Sequence, residues 1–173
     1  AESIGKARLE PMLQANNAAV PTVVQVNTLR ITTDALQQRL QDEGVQVQAH
    51  DWLTDCLILT ATGNLEELAS FREGLFYVQD AAAKLSVLCA QLPRKDELQV
   101  LDCCAAPGGK SFAAAIATNG KAQLYSCDIH PHKTALIQNG AKRLGIEKLQ
   151  VFCHDATEDV PDWHDKMDVV IAD

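Results

Sequence analysis

Residues 98–117 read Leu-Gln-Val-Leu-Asp-Cys-Cys-Ala-Ala-Pro-Gly-Gly-Lys-Ser-Phe-Ala-Ala-Ala-Ile-Ala. The apolar start of this stretch predicts a strand, its paired glycines Gly108 and Gly109 predict a tight turn, and its alanine-rich end predicts a helix. Glycine lets a backbone approach a ligand closely, and the free N–H groups at the start of a helix face whatever is bound there. The stretch therefore predicts a site for a nucleotide-like cofactor, with Asp102 at the carboxyl end of the strand.

Strands and helices alternate from residue 98 onward, which predicts a parallel sheet with strands at 98–102, 123–128, 149–153 and 168–172. In the usual order of such sheets, the strand at 168–172 lies beside the strand at 98–102. An aspartate stands at or just after the end of each strand: Asp102, Asp128, Asp155 and Asp173. Ligands of open parallel sheets bind beyond the carboxyl ends of the strands, so these acids are candidates for binding ribose hydroxyls and an amino group. Aspartate is also a common turn residue, which is the alternative interpretation of each one.

The residues before 98 predict a small mixed α/β unit. A polar helix within residues 1–20 ends near Asn16, and a second helix is capped by Thr32 or Thr33. Strands are expected at 23–26, 45–47, 56–59 and 75–78, followed by a helix over 80–91. We therefore expect a small α/β domain with its connecting helix at residues 1–92 and a larger α/β domain at residues 93–173.

Composition limits the class of protein. The chain has 173 residues, 47% of them hydrophobic and 22% charged, which is typical of a soluble globular protein. It contains no apolar run near the roughly 18 residues of a membrane span, and its six cysteines stand mostly in apolar runs, as reduced thiols do. We expect a cytoplasmic protein with no membrane partner. The net charge of −8 argues against a nucleic-acid surface within these residues.

The spacing of the glycine turn separates three cofactors. A dinucleotide motif needs Gly-x-Gly-x-x-Gly, which is absent, although Asp128 lies 19 residues after Gly109. A phosphate-binding loop needs a glycine where this chain has Cys104. S-adenosylmethionine has no phosphate; it needs close backbone approach to its amino-acid part, one acid for the ribose and another near the adenine. The pattern fits S-adenosylmethionine best.

The segment Asp102–Ser111 resembles the cofactor motif of the RNA 5-methylcytosine methyltransferases of the Nop2/Sun family. Gly74–Ala81 resembles the family's Gly-x-x-x-Val-Gln-Asp segment, and Pro21–Arg30 resembles its extended Val-Asn-Thr segment. The match covers almost the whole chain, and the bacterial Sun/Fmu type, which acts on small-subunit ribosomal RNA, is the nearest. The resemblance implies a class I S-adenosylmethionine-dependent methyltransferase (Rossmann-like) sheet, preceded by a small α/β domain like an RNA-recognition domain.

The resemblance also implies roles for individual residues. Asp128 would bind the ribose hydroxyls and Asp155 would lie beside the adenine. Asp173 would open the family's Asp-x-Pro-Cys motif, near the cofactor and the target base. The cofactor loop would be formed, largely through backbone groups, by Cys104, Ala105, Ala106, Pro107, Gly108, Gly109 and Lys110.

The family's chemistry requires two cysteines that this sequence does not match. Cytosine C5 is a poor nucleophile, so a thiolate first adds to C6; C5 then takes the methyl group, a base removes the C5 proton and the thiolate leaves. The sequence given stops at Asp173, before the motif's Pro-Cys and the later Thr-Cys. The resemblance therefore implies a fragment without a catalytic residue of its own, which does not methylate RNA by itself. It also implies an apolar, unpaired edge at Val169–Ile171.

Other residues admit simpler interpretations. The helix predicted at 133–144 is expected to pack Leu136, Ile137 and Leu144 on the sheet. Four basic residues on or near this helix either contact RNA phosphates or are simply exposed to solvent: Lys133, Lys142, Arg143 and Lys148. We expect no metal, because the nearby thiols and imidazoles match no compact ligand spacing: Cys127, His130, His132, Cys153 and His154.

Three rival functions stay open beside RNA methylation. The first is a methyltransferase that acts on protein or on a small molecule. The second is a non-catalytic RNA-binding scaffold that keeps the cofactor fold. An ATPase ranks last because its phosphate-binding loop is incomplete.

Overall fold

The structure, a computed structural model, describes residues 5–17, 21–92 and 97–173. Its first part runs through α1 (Lys6–Asn17), β1 (Thr22–Val26), α2 (Thr33–Asp42), β2 (Gln46–Ala49), β3 (Cys56–Thr60), α3 (Ala69–Arg72) and β4 (Phe76–Val78). Its second part runs through α4 (Ala81–Cys89), β5 (Gln99–Asp102), α5 (Gly109–Ala117), β6 (Gln123–Asp128), α6 (Pro131–Leu144), β7 (Leu149–Cys153) and β8 (Val169–Ile171). Short 3-10 helices occur at Leu65–Glu67 and Pro161–Trp163.

The first sheet is antiparallel, with strand order β2-β3-β1-β4. This order is the one that a β-α-β-β-α-β chain produces in a ferredoxin-like fold. Thr32 caps α2 by accepting a hydrogen bond from the Ala35 N–H at 3.4 Å, as one of the two expected caps. Leu36 and Leu40 of α2 are fully buried against the sheet, in a core that includes Val24. The amphipathic pattern of α2 thus holds the helix on one face of the sheet.

The second sheet is parallel, with strand order β7-β6-β5-β8. The expected pairing of strand 168–172 with strand 98–102 is confirmed by the β5–β8 ladder. Side chains from α4, α5 and α6 form one core with alternate residues of β5 and β6: Val87, Phe112, Ile137, Leu144, Val100 and Leu124. The predicted class, an α/β protein with a parallel sheet and a smaller α/β unit before it, is confirmed.

The domain boundary and the outer strand of the second sheet were both predicted from the sequence. The predicted boundary between residues 92 and 93 stays a prediction, and residues 93–96 lie outside the described part of the chain, as do residues 1–4 and 18–20 of the predicted first helix. At the far end of the sheet, Val170 is 57% exposed, whereas Val169 and Ile171 pack against the core. Among the described strands β8 is the outermost on its side.

The packing expected for Leu136 is wrong, since its side chain is 52% exposed. Ile137, Ala141 and Leu144 are the buried residues of α6 and stand three or four positions apart, so they share one helix face. Leu136 precedes this set by one residue, which rotates it by about 100° toward solvent.

One of the contacts between the two parts is formed by four residues that we call the interunit joint: Asn27, Arg30, Gly74 and Arg143. The Asn27 Nδ2 donates to the Gly74 and Leu144 carbonyls, both at 2.9 Å. Arg30 donates to the Glu73 carbonyl and, at 3.2 Å, to the Arg143 carbonyl. The last carbonyl groups of a helix have no partner within it, so the first unit satisfies the end of α6.

Arg143 completes the joint from the other side. Its Nη1 donates to the carbonyls of Phe71, at 2.7 Å, and Phe76, at 2.9 Å. Its guanidinium carbon lies 3.7 Å from the centre of the Phe71 ring, and burial lowers its pKa. Gly74 is required here because a Cβ at this position would overlap the Arg143 carbonyl oxygen. The interunit joint therefore fixes the first unit against α6.

Candidate cofactor site at the carboxyl edge of the parallel sheet

The strand registers place the glycine turn and the strand-end acids at one edge of the second sheet. Asp102 is level with Ser126 on one side and with Ile171 on the other, and Asp128 is level with Cys153. Because all four strands are parallel, the turn after β5 and the segments after β6, β7 and β8 leave the sheet at the same edge.

The turn at residues 103–108 is tied to both neighbouring strands. The Cys103 N–H donates to the Ile171 carbonyl at 2.9 Å, and the Ala105 N–H donates to the Cys127 carbonyl at 2.7 Å. Gly108 has a φ of 115°, in the left-handed region that favours glycine, and a Cβ there would overlap the Phe112 ring. The turn therefore presents backbone rather than side chains at the start of α5.

Asp102 was a candidate for binding a ligand at this edge, but its side chain is buried beneath the glycine turn. It is 2% exposed, and its Oδ2 accepts a hydrogen bond from the Ser111 hydroxyl at 2.7 Å. The Ser111 hydroxyl also lies 2.8 Å from that of Ser126. Burial raises the pKa of Asp102. Its side chain shares a face with buried Val100, two residues before it, and so points into the core.

Asp128 and Asp155 have different surroundings. Asp128 is 7% exposed; its Oδ1 accepts from the His130 N–H at 3.0 Å, and no described residue donates to Oδ2. Asp155 is more open, and its Oδ1 accepts from the N–H and hydroxyl of Thr157 at 2.9 and 2.7 Å. These Thr157 hydrogen bonds lower the pKa of Asp155. Asp128 thus keeps one carboxylate oxygen without a described donor, and the Thr157 hydrogen bonds favour the ionised form of Asp155.

Lys110 and Asp173 form an ion pair across the edge. The Lys110 Nζ lies 2.5 Å from the Asp173 Oδ2, and this contact lowers the pKa of Asp173. The pair joins the first turn of α5 to the segment after β8. The Lys110 side chain is therefore directed toward Asp173, while its backbone belongs to the turn.

Two thiols near the edge, Cys103 and Cys127, are not activated. Burial raises the pKa of Cys103 and raises that of Cys127 to about 12. A thiol with a raised pKa stays protonated and is a weak nucleophile. Among the described residues there is no group of three or more His, Cys, Asp or Glu side chains that could hold a metal ion. In the same part of the chain, no helix is both long and apolar enough to cross a membrane.

Two residues have roles that the sequence did not indicate. Arg143, expected to be solvated or to contact RNA, instead donates to carbonyls of the first unit in the interunit joint. Gln79, in a segment noted only for its resemblance, packs its carboxamide against Gly109 at the start of α5. Only a contact between distant segments reveals either role.

The parallel sheet, its helices and the glycine turn at its carboxyl edge define the Rossmann-like fold of class I S-adenosylmethionine-dependent methyltransferases. A solved structure described as a methyltransferase homologue from Pyrococcus horikoshii agrees, with a TM-score of 0.73 and 26% identity. That similarity covers 83% of this chain and 47% of the other.

Two family models match the sequence. Residues 2–66 match the ferredoxin-like domain of RsmF/B-like methyltransferases, and residues 89–173 match the 16S rRNA methyltransferase RsmB/F model. The chain belongs to the RsmB/F family of methyltransferases, which confirms the predicted Sun-type resemblance.

Relatives support the same family. Ribosomal RNA small subunit methyltransferase B of Vibrio cholerae is 32% identical over 95% of this chain and 37% of its own length. The probable enzyme of that name from Bacillus subtilis is 31% identical over 90% of this chain and 34% of its own. The chain thus spans about a third of the length of these curated relatives.

S-adenosylmethionine is the cofactor of this family and of this chain. The residues at the edge fit it. Gly108 leaves bare backbone for close approach, Asp128 keeps a carboxylate oxygen without a described donor, and the buried Gln79 Oε1 has no hydrogen-bond partner.

Proposed function

We propose that the chain is the cofactor-binding part of an RNA methyltransferase that transfers a methyl group to C5 of cytosine in small-subunit ribosomal RNA. The carboxyl edge of the parallel sheet is the observation that carries the proposal. It combines a backbone-lined glycine turn with the buried Asp128 carboxylate at the end of the next strand. Family membership favours ribosomal RNA as the substrate class.

In this proposal the turn at residues 104–110 holds the amino-acid part of the cofactor, Asp128 binds the ribose hydroxyls and Asp155 lies beside the adenine. The bound cofactor supplies an electrophilic methyl group. Asp128 contributes one fixed carboxylate oxygen to the diol, because its other oxygen is held by the His130 N–H. Asp155 stays ionised because Thr157 donates two hydrogen bonds to it.

Lys110 and Asp173 lie at the end of the edge where we propose that the target base enters. Their ion pair holds an ammonium group and a carboxylate close together. The amino group of an incoming cytosine would bind the Asp173 carboxylate, and a ring acceptor would bind the Lys110 ammonium group. The pair therefore orients the base and does not itself attack it.

We propose further that none of the six cysteines in this sequence is the nucleophile. Cys103 and Cys127 have raised pKa values, which disfavour the thiolate that the chemistry requires. These residues by themselves therefore do not methylate RNA. The small α/β domain with its connecting helix, residues 1–92, would bind the RNA substrate. We also propose that the protein works in the cytoplasm.

The test is methyl transfer from isotopically labelled S-adenosylmethionine to 16S ribosomal RNA by a longer protein that contains these 173 residues and the family's two cysteine motifs, with digestion to nucleosides and mass spectrometry. The proposal predicts labelled 5-methylcytidine, and its loss in Asp128→Ala. Cys103→Ala should keep the transfer. A different labelled nucleoside, or label on protein or a small molecule, would contradict the substrate, and RNA binding without any transfer would favour the scaffold.

A further inference from the structure

Gln79 is a buried residue beside the proposed cofactor site, and none of the ligand contacts proposed above involves it. It lies in the short connection between β4 and α4, and its side chain is 8% exposed. Its backbone is fixed on both sides, since its N–H donates to the Val23 carbonyl at 3.2 Å and its carbonyl accepts from the Gln25 Nε2 at 3.1 Å. The side chain therefore has a defined starting point and direction.

That direction leads to the glycine turn. A Cβ built on Gly109 would lie 2.8 Å from the Gln79 Nε2 and 3.2 Å from its Cδ. The carboxamide thus occupies the space that any other residue at position 109 would fill. Gly109 is the first residue of α5, where backbone N–H groups are free of helix partners. The Gln79 carboxamide therefore stands beside the N-terminus of α5.

The carboxamide is also incompletely satisfied. The Gln79 Oε1 is buried and has no hydrogen-bond partner among the described residues. Buried polar atoms in folded proteins are nearly always paired, and an unpaired one at a binding edge points to a ligand. The oxygen and nitrogen of the carboxamide exchange places by a half rotation, so the group can present either a donor or an acceptor.

We propose that the Gln79 carboxamide binds the amino-acid end of S-adenosylmethionine. That end carries an ammonium group, which needs an acceptor, and a carboxylate, which needs donors. In one rotamer the carboxamide presents an acceptor to the ammonium group, and in the other it presents a donor to the carboxylate; the start of α5 adds free N–H groups and the positive end of the helix dipole for the carboxylate. This inference rests on the proposed cofactor site, and it adds a residue from the connection between the two units to it.

The inference also gives the first unit a part in cofactor binding. Gln25 of β1 holds the Gln79 backbone, so the first sheet sets the position of the carboxamide. Gln25 has a buried, unpaired Oε1 of its own, but its Nε2 bonds to Gln79, so its replacement would disturb Gln79 as well. The exposed Gln48 of β2 is therefore the control glutamine.

The experiment compares two ligands of the full chain by calorimetry or by competition. S-adenosylhomocysteine carries the amino-acid end, and 5′-methylthioadenosine lacks it. In Gln79→Met, which keeps the volume but removes the amide, we expect S-adenosylhomocysteine to bind about tenfold more weakly, or about 1.4 kcal/mol. Binding of 5′-methylthioadenosine should stay within about twofold. Gln79→Asn, which withdraws the amide by one methylene group, should show the same selective loss.

The other possible outcomes of this experiment would contradict the role of Gln79 or the cofactor site itself. Equal weakening of both ligands in Gln79→Met would mean that Gln79 only supports the turn and would overturn the inference, as would unchanged binding of S-adenosylhomocysteine. Gln48→Met, at an exposed position of β2, should leave the ratio of the two affinities unchanged; an equal change of ratio there would also contradict the inference. Failure of the wild-type chain to bind either ligand would instead refute the proposed cofactor site.

Discussion

Replacing Arg143 by methionine tests the interunit joint. The change removes the guanidinium group but keeps an unbranched apolar side chain over the Phe71 ring. It deletes the donors to the Phe71 and Phe76 carbonyls, at 2.7 and 2.9 Å, while the contacts of Asn27 and Arg30 with the end of α6 stay in place. The variant thus isolates one side of the joint.

The size of the effect follows from these contacts. Hydrogen bonds from a charged donor contribute about 1.5–3 kcal/mol each. Two effects make the loss of stability smaller than the sum of the two hydrogen bonds. Burial of the guanidinium costs solvation and lowers the pKa of Arg143, and the nearby Arg30 repels its charge. The lost cation–π contact with Phe71 is offset by a sulfur–aromatic contact of about 0.3–1.5 kcal/mol. We expect a net loss of about 2–3 kcal/mol in the free energy of unfolding.

Thermal and urea unfolding measure this loss. For a chain of this length the melting temperature falls by about 2–4 °C for each kcal/mol, so Arg143→Met should melt about 4–12 °C lower. Lys142→Met, at the exposed neighbouring position, should change stability by less than about 0.5 kcal/mol. Equal stabilities of the two variants would show that the Arg143 hydrogen bonds to the first unit do not stabilise the fold.

Two further predictions concern the packing of glycine and of a buried acid. Gly74 has a φ of 71° and its added Cβ would overlap the Arg143 carbonyl oxygen, so Gly74→Ala should cost more than the ~1–2 kcal/mol of the left-handed conformation alone. Gly63→Ala, at a φ of 58° with nothing within 4 Å of the added Cβ, is the control that should cost only that amount; similar losses in urea unfolding would contradict the overlap. The raised pKa of Asp102 means that its protonated form is favoured in the folded state, so wild-type stability falls as pH rises through that pKa. Asp102→Asn has no such titration and should show a flatter stability profile above pH ~4; an identical decline in both proteins would exclude Asp102 as the cause.

The sequence predicted the second unit well because its signals are local. Alternating strands and helices, and the glycine turn between β5 and α5, follow from neighbouring residues. The four-residue helix α3 was not predicted, since one turn of helix carries no periodic pattern. Leu136 was placed on the wrong face because one position along a helix changes the direction by about 100°.

The sequence predicted the position of the candidate site, but not the buried residues that hold it in place. The strand ends located the turn and Asp128, yet the alternation Val100, Leu101, Asp102 already directs Asp102 to the buried face. Contacts between distant segments carry no local pattern. The bond between Asn27 and Leu144 spans 117 positions, and the packing of Gln79 on Gly109 depends on how the two units meet.

Calorimetric titration of the chain with S-adenosylhomocysteine measures cofactor binding at this edge without RNA. We expect one binding site per chain, and affinity at least about tenfold weaker in Asp128→Ala, because a charge-assisted hydrogen bond to the ribose is lost. ATP and NAD should not compete. Absence of binding by the wild-type chain, or unchanged affinity in Asp128→Ala, would contradict a cofactor site at this edge of the sheet.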